Sequence, residues 1–139
     1  MSDSTFARSR ADAGVAPSIQ VVRHSERIAL VTLVGEHDIS TKPRMQDALA
    51  RASEQPCVVV DLSLCPFVDS SFIGILLALH GTAACSIRLV VPETGRAVRR
   101  TFELVRLGHL FPMHASLELG LIAAHLDDPV DEPRAEAAS

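Results

Sequence analysis

Excess positive charge is the first thing this chain lacks. Its 139 residues carry 13 Lys and Arg against 17 Asp and Glu, a formal net charge of −4, so no global basic field exists to hold nucleic acid or an anionic membrane. Long hydrophobic runs are missing too. No apolar stretch approaches the roughly 20 residues that span a bilayer, and the opening MSDSTFARSRADAG has no apolar core of a signal peptide. These absences predict a cytoplasmic protein that binds other proteins or small molecules. Cysteine is scarce: Cys57, Cys65 and Cys85 are an odd number without a close pair, which offers neither a disulfide framework nor a zinc spacing. Cys65 also lacks a histidine placed to activate it. The six histidines, His24, His37, His80, His109, His114 and His125, form no H-x-x-x-H or H-E-x-x-H group, and glycine-rich phosphate loops are absent. The expectation is a protein without catalytic residues, metal or cofactor.

What is present suffices for one domain. A hydrophobic content of 47% can bury a core over this length. Residues 1–17 are rich in Ser, Ala, Arg and Asp without period, and 127–139 hold Pro129, Pro133 and several acids; both ends are expected to be disordered around a domain at 18–126. Ile19 to Val22 and Ile28 to Val34 read as a hairpin across the polar turn His24 to Arg27. Gly35 ends the second strand, Asp38, Ser40 or Thr41 can cap, and a helix from Lys42 to Ala52 carries Pro43 in its first turn, where a missing N–H does no harm. Further on, Val98, Phe102 and Val105 mark a helix opened by Glu93 or Thr94, a short strand lies at Leu110 to His114, and a last helix runs from Ser116 to Leu126. The order predicts an α/β fold: a mixed sheet of four or five strands, with about four helices packed mainly on one side.

The densest signal is Cys57 to His80, reading CVVVDLSLCPFVDSSFIGILLALH. Cys57 to Val60 is a β-branched run without polar alternation, as in a strand covered on both faces. After a short connection, Asp69-Ser70-Ser71 opens a helix in which Ile73, Leu76, Leu77 and His80 recur at helical spacing before Gly81 stops it. Ser86 to Val91 then completes a right-handed βαβ unit. Two hydroxyls thus stand at a helix N-terminus beside the C-terminal edge of a sheet, where ligands and chemistry gather in open α/β folds and where added negative charge is favoured. Asp and Ser in such places are also ordinary N-caps, worth about 1 kcal/mol each. Position alone does not separate a cap from a phosphoacceptor.

From Ile19 to Leu126 the chain resembles the STAS domain and, within it, the small bacterial anti-sigma factor antagonists. Val34 to Thr41 is similar to the family's strand-ending G-E-L-D or G-E-I-D and the threonine-bearing helix start after it. Asp61 to Gly74 resembles its D-L element followed by D-S-S or D-S-T and glycine, and Val105 to Phe111 its hydrophobic turn before the last strand. The resemblance implies that a partner anti-sigma factor, itself a serine kinase, phosphorylates the serine after the aspartate, here Ser70, with Ser71 as second choice. It implies a partner surface of Asp38, His37, Asp69, Ser71 and Phe72, with Asp38 on the neighbouring loop, and a phosphatase as a further candidate partner. Phe72 departs from most phosphorylated members of the family, which have glycine there, whereas Gly74 is retained; a large apolar side chain would narrow kinase approach or enlarge the partner surface.

His37, next to Asp38, would tune that surface around the free imidazole value of about 6.5. Arg96, Arg99, Arg100 and Arg106 read as a solvated helix face in preference to an anion-binding stripe. The leading function is a phosphorylation-switched module that frees a sigma factor by docking on its anti-sigma factor. A constitutive STAS subunit of a scaffold or membrane transporter is the alternative, and a nucleotide or lipid sensor using a pocket under the Ser71 helix the third.

Overall fold

The computed structural model describes residues 16–82 and 84–126; the two expected disordered ends lie, apart from Ala16 and Pro17, outside the described residues. Among these, five strands form one sheet in sequence order. β1 (Ser18–Arg23) pairs antiparallel with β2 (Ile28–Val34), and β2, β3 (Cys57–Leu64), β4 (Ser86–Val90) and β5 (Met113–His114) are successively parallel. Four helices, α1 (Lys42–Ala52), α2 (Ser70–Thr82), α3 (Arg96–Leu104) and α4 (Leu117–Leu126), complete the expected mixed α/β domain.

The sheet is covered on both faces, as the unbroken apolar run of β3 requires. Ala29, Val31, Val58, Val60 and Leu89 meet Met45 and Leu49 of α1, Phe72 and Leu76 of α2, and Val98 and Phe102 of α3. On the other face Ile28, Cys57, Val59 and Val90 meet Ala124, Leu117 and Leu121 of α4. That helix lies close because residue 120 has no side chain: a Cβ on Gly120 would stand 2.9 Å from Val90 Cγ2. Beside it Arg88, 7% exposed, reaches His114 Nε2 with Nη1 at 3.1 Å. Burial first, and then the Arg88 charge, hold His114 below its ordinary pKa, which leaves that nitrogen free to accept.

Several boundaries differ from expectation for local reasons. α3 ends at Leu104, so Val105 caps it and is 49% exposed, while Arg106 takes a left-handed φ of 57° that turns Leu107 into the core instead. Its N-cap is Gly95, not Glu93 or Thr94, because the chain first closes a turn with Gly95 N–H donating to Pro92 O at 2.9 Å. Arg99 covers the same corner, its guanidinium donating to the carbonyls of Val91 and Pro92; Arg96, Arg100 and Arg106 are exposed. In α2 the inner positions are Phe72, Ile73, Ile75 and Leu76, whereas Leu77 and His80 face outward and the helix continues through Gly81. A helix apolar nearly all round leaves its inner face underdetermined by periodicity. The last strand shortens to Met113–His114, and Ser116 caps α4 by accepting from Leu119 N–H at 3.1 Å.

Candidate partner-binding edge

At the C-terminal ends of β2 and β3 two loops are tied into one surface. Gly35 leaves β2 at φ +85°, donates to Leu64 O at 2.9 Å, and leaves a Cβ only a tight fit, 3.1 Å from Pro17 Cα. Only glycine takes that turn without strain. Two residues on, His37 forms an isolated parallel bridge with Val68 of the β3–α2 loop.

His37 is fully buried. Its Nε2 faces two acceptors, Ser18 O at 3.2 Å and Val34 O at 3.1 Å, and therefore carries a proton; Nδ1 lies 3.2 Å from Thr41 Oγ1. This corrects its expected place on the partner surface. The ring joins the start of β1, the end of β2 and the start of α1, and reaches the edge only by fixing the backbone that presents Asp38.

Asp38 and Asp69 each follow one residue of the bridge, and each turns its carboxylate onto the amide two residues on. Asp38 Oδ1 accepts from Ser40 N–H at 2.9 Å and from the Ser40 hydroxyl at 2.6 Å; Asp69 Oδ1 accepts from Ser71 N–H at 2.9 Å. Asp61 does the same for Ser63 within β3. The Ser40 hydroxyl first, then its amide, hold the exposed Asp38 carboxyl below the usual 3.8. Because Asp69 is the residue that caps α2, capping and display are divided between neighbours. Ser71 is half-buried behind the cap, and Ser70 begins the helix with an exposed side chain.

Phe72 is the second correction. It is 0% exposed and stacks on Phe102 with ring centroids 6.4 Å apart, because the third residue of α2 turns toward the sheet. Its size fills the space between α2 and α3 and leaves the edge unchanged. The apolar part of the edge comes from three residues not singled out in the sequence: Ile39 at 67%, Leu64 at 65% and Phe67 at 45% exposure. The available signal was that Leu64 and Phe67 flank a proline loop and Ile39 stands between two caps, where no inward period operates.

Cys65 lies beneath this loop, 3% exposed, its thiol donating to Phe67 O at 3.3 Å, and burial pushes its pKa up to about 11. That suits a packed thiol, not a nucleophile. Cys57 and Cys85 pack on opposite faces of the sheet, and no group of three or more potential metal ligands occurs among the described residues. Cavities of about 300, 350 and 410 Å³ lie beside α1 or beside α3; none of these three is lined by Ser71. Among the described residues no helix is long and apolar enough to cross a membrane.

The same architecture recurs in solved structures. An anti-sigma factor antagonist from Mycobacterium paratuberculosis superposes with a TM-score of 0.71 at 27% identity, over 79% of this chain and 95% of that one. The anti-sigma factor antagonist SpoIIAA in its unphosphorylated form gives 0.64 at 20% identity, over 78% and 96%. The Bacillus cell fate determinant SpoIIAA in its phosphorylated form gives 0.58 at 19%, over 77% and 99%. No curated protein matches significantly. A sequence family described as "Mlab, STAS domain" matches residues 20–115, which takes in β2 to β5 and both loops of the edge. The chain belongs to the STAS domain family.

Proposed function

We propose that this protein is an anti-sigma factor antagonist, a binding module whose docking on an anti-sigma factor with serine kinase activity is switched off by phosphate on Ser70. The observation that carries the proposal is the division of labour at α2: Asp69 supplies the cap, and the Ser70 side chain stands exposed at the first helical position. A phosphate there meets a helix N-terminus, whose amides and dipole favour negative charge by about 0.3–1 kcal/mol. The modified domain therefore stays folded.

Docking responds differently. The exposed apolar residues Ile39, Leu64 and Phe67 form the water-excluding part of the contact, and Asp38 and Asp69 flank it. A phosphate entering that contact is desolvated beside like charges, at a cost of several kcal/mol, or about two to three decades in affinity. The similar structures support the role: they are anti-sigma factor antagonists, and one was solved in a phosphorylated form. The constitutive-subunit reading uses the same edge but leaves Ser70 unmodified.

Incubation with candidate serine kinases and ATP, followed by intact mass and fragment analysis, tests the proposal. One phosphate on Ser70 is expected. No phosphate with any kinase that binds the protein would favour the constitutive subunit.

A further inference from the structure

The two edges of the sheet are unlike. β5 offers two residues, a length that blunts an edge, whereas β1 offers six in unbroken register with β2 from Ser18↔Val34 to Arg23↔Ala29. Between Ser18 and Val22 there is no proline, charge or bulge, the devices that protect an open edge. The hydrogen-bonding parity is fixed by the turn. His24 N–H donates to Ile28 O at 2.8 Å, so by antiparallel alternation Ser18, Gln20 and Val22 bond to β2, while Ile19, Val21 and Arg23 direct their N–H and C=O groups outward.

Side chains on the α1 side of this edge meet a groove. A cavity of about 300 Å³ is lined by Ile19, Pro43, Asp47 and Arg51, and one of about 350 Å³ by Val21, Arg23, Arg51 and Gln55. The openings sit at alternate residues of one strand, the spacing at which an added strand presents its side chains.

We propose that β1 pairs antiparallel with β1 of a second copy of this chain, with Gln20 facing Gln20 across the two-fold axis, to make a continuous sheet through both molecules. A second copy fits for three reasons. Outward-bonding residues must face outward-bonding residues, so paired residue numbers must sum to an even value, and only such sums also keep both copies' α1 faces on one side. A sum of 40 sets Ile19 against Val21 of the second copy and the reverse, which fills both cavities by one operation, as a closed two-fold contact requires. Within the strand, residues 18–22 bring no like charges together; Arg23 overhangs opposite Pro17 of the second copy, where Arg44, whose Nη2 donates to Pro17 O at 3.5 Å, and Asp47 both line the groove. A sum of 42 would instead set Arg23 against Ile19. This contact lies on β1, separate from the Asp38 and Ser70 edge, and stands whether or not Ser70 is phosphorylated.

Sedimentation equilibrium of the full chain from about 10 μM to about 1 mM, the range of a weak interface, is expected to show reversible dimers. In a Cys85→Ser background, Gln20→Cys is expected to cross-link as a dimer on mild oxidation, since a non-hydrogen-bonded antiparallel pair brings Cα atoms to about 4.5 Å. Val22→Cys, on the same face but set against Ser18, is expected not to. Gln20→Lys places like charges opposite each other at an exposed position and should weaken the dimer about two- to fivefold while melting as wild type. A monomer at every concentration, equal cross-linking at 20 and 22, or amides of Ile19 and Val21 already protected from exchange in the monomer would overturn the proposal.

Discussion

His37 and Val68 pair through a single parallel bridge beyond the ends of their strands, and this contact brings Asp38 and Asp69 to the same level of one edge. The buried imidazole holds one side of it through three hydrogen-bonding contacts, to Ser18 O, Val34 O and Thr41 Oγ1.

His37→Ala is therefore expected to act at a distance. It removes the imidazole donor from the part-buried Ser18 and Val34 carbonyls and empties a fully buried site, at a cost of about 1–3 kcal/mol, and loosens the backbone that presents Asp38. Denaturant melts should record the loss of stability, and titrations with the anti-sigma factor a loss of affinity. Asp38→Ala should lower affinity and leave the melt nearly unchanged, because Asp38 caps only the short 3-10 turn of Ile39–Thr41.

The Asp38 carboxyl should titrate below 3.8, and Ser40→Ala should raise it, because the Ser40 hydroxyl is the largest cause of the lowering. The folded value lies below the unfolded one. The ionised group therefore favours the native state above the unfolded value, and that contribution is lost as pH falls through the folded value. A carboxyl-detected NMR titration of wild type and Ser40→Ala checks both the position and the direction.

Phe72→Ala is expected to cost about 3–5 kcal/mol, the range for emptying a buried aromatic site, because the ring is fully buried against Phe102. A surface role would predict a change below about 0.5 kcal/mol. Chemical denaturation separates the two.

Much of the fold was legible because strong patterns agree with local chemistry. The continuous Cys57 to Val60 run, the hairpin turn, and Pro43 within a first turn each fixed an element that the structure contains. Asp38, Asp69 and Ser70 stand at the strand-to-helix connections that the sequence predicts, Asp38 and Ser70 exposed and Asp69 half-buried. The edge was illegible at Phe72 and His37. Sequence places both beside Ser70 and Asp38, but helical rotation turns Phe72 inward and the His37 bridge turns the imidazole under the loop. No single-chain period encodes a contact between residues 37 and 68. Val105 failed for a related reason: the left-handed Arg106 ends α3 before the third inward position.

Glycines in two helices should respond oppositely to alanine. At Gly74 an added Cβ meets nothing within 4 Å, so Gly74→Ala should gain helix propensity of up to about 1 kcal/mol. At Gly120 the added atom stands 2.9 Å from Val90 Cγ2, and overpacking of about 1–3 kcal/mol should outweigh that gain. Thermal melts of the two variants should move in opposite directions.

Phosphate on Ser70 is expected to end docking without unfolding the domain. The most direct measurement is the affinity of wild-type, Ser70-phosphorylated, Ser70→Ala and Ser70→Asp proteins for the anti-sigma factor, each with a melt alongside. Ser70→Ala should bind as unmodified wild type, Ser70→Asp more weakly, and the phosphorylated protein should lose about two to three decades of affinity with its melt nearly unchanged. Equal binding by phosphorylated and unmodified protein, or a phosphorylated domain that has lost its cooperative melt, would contradict that expectation.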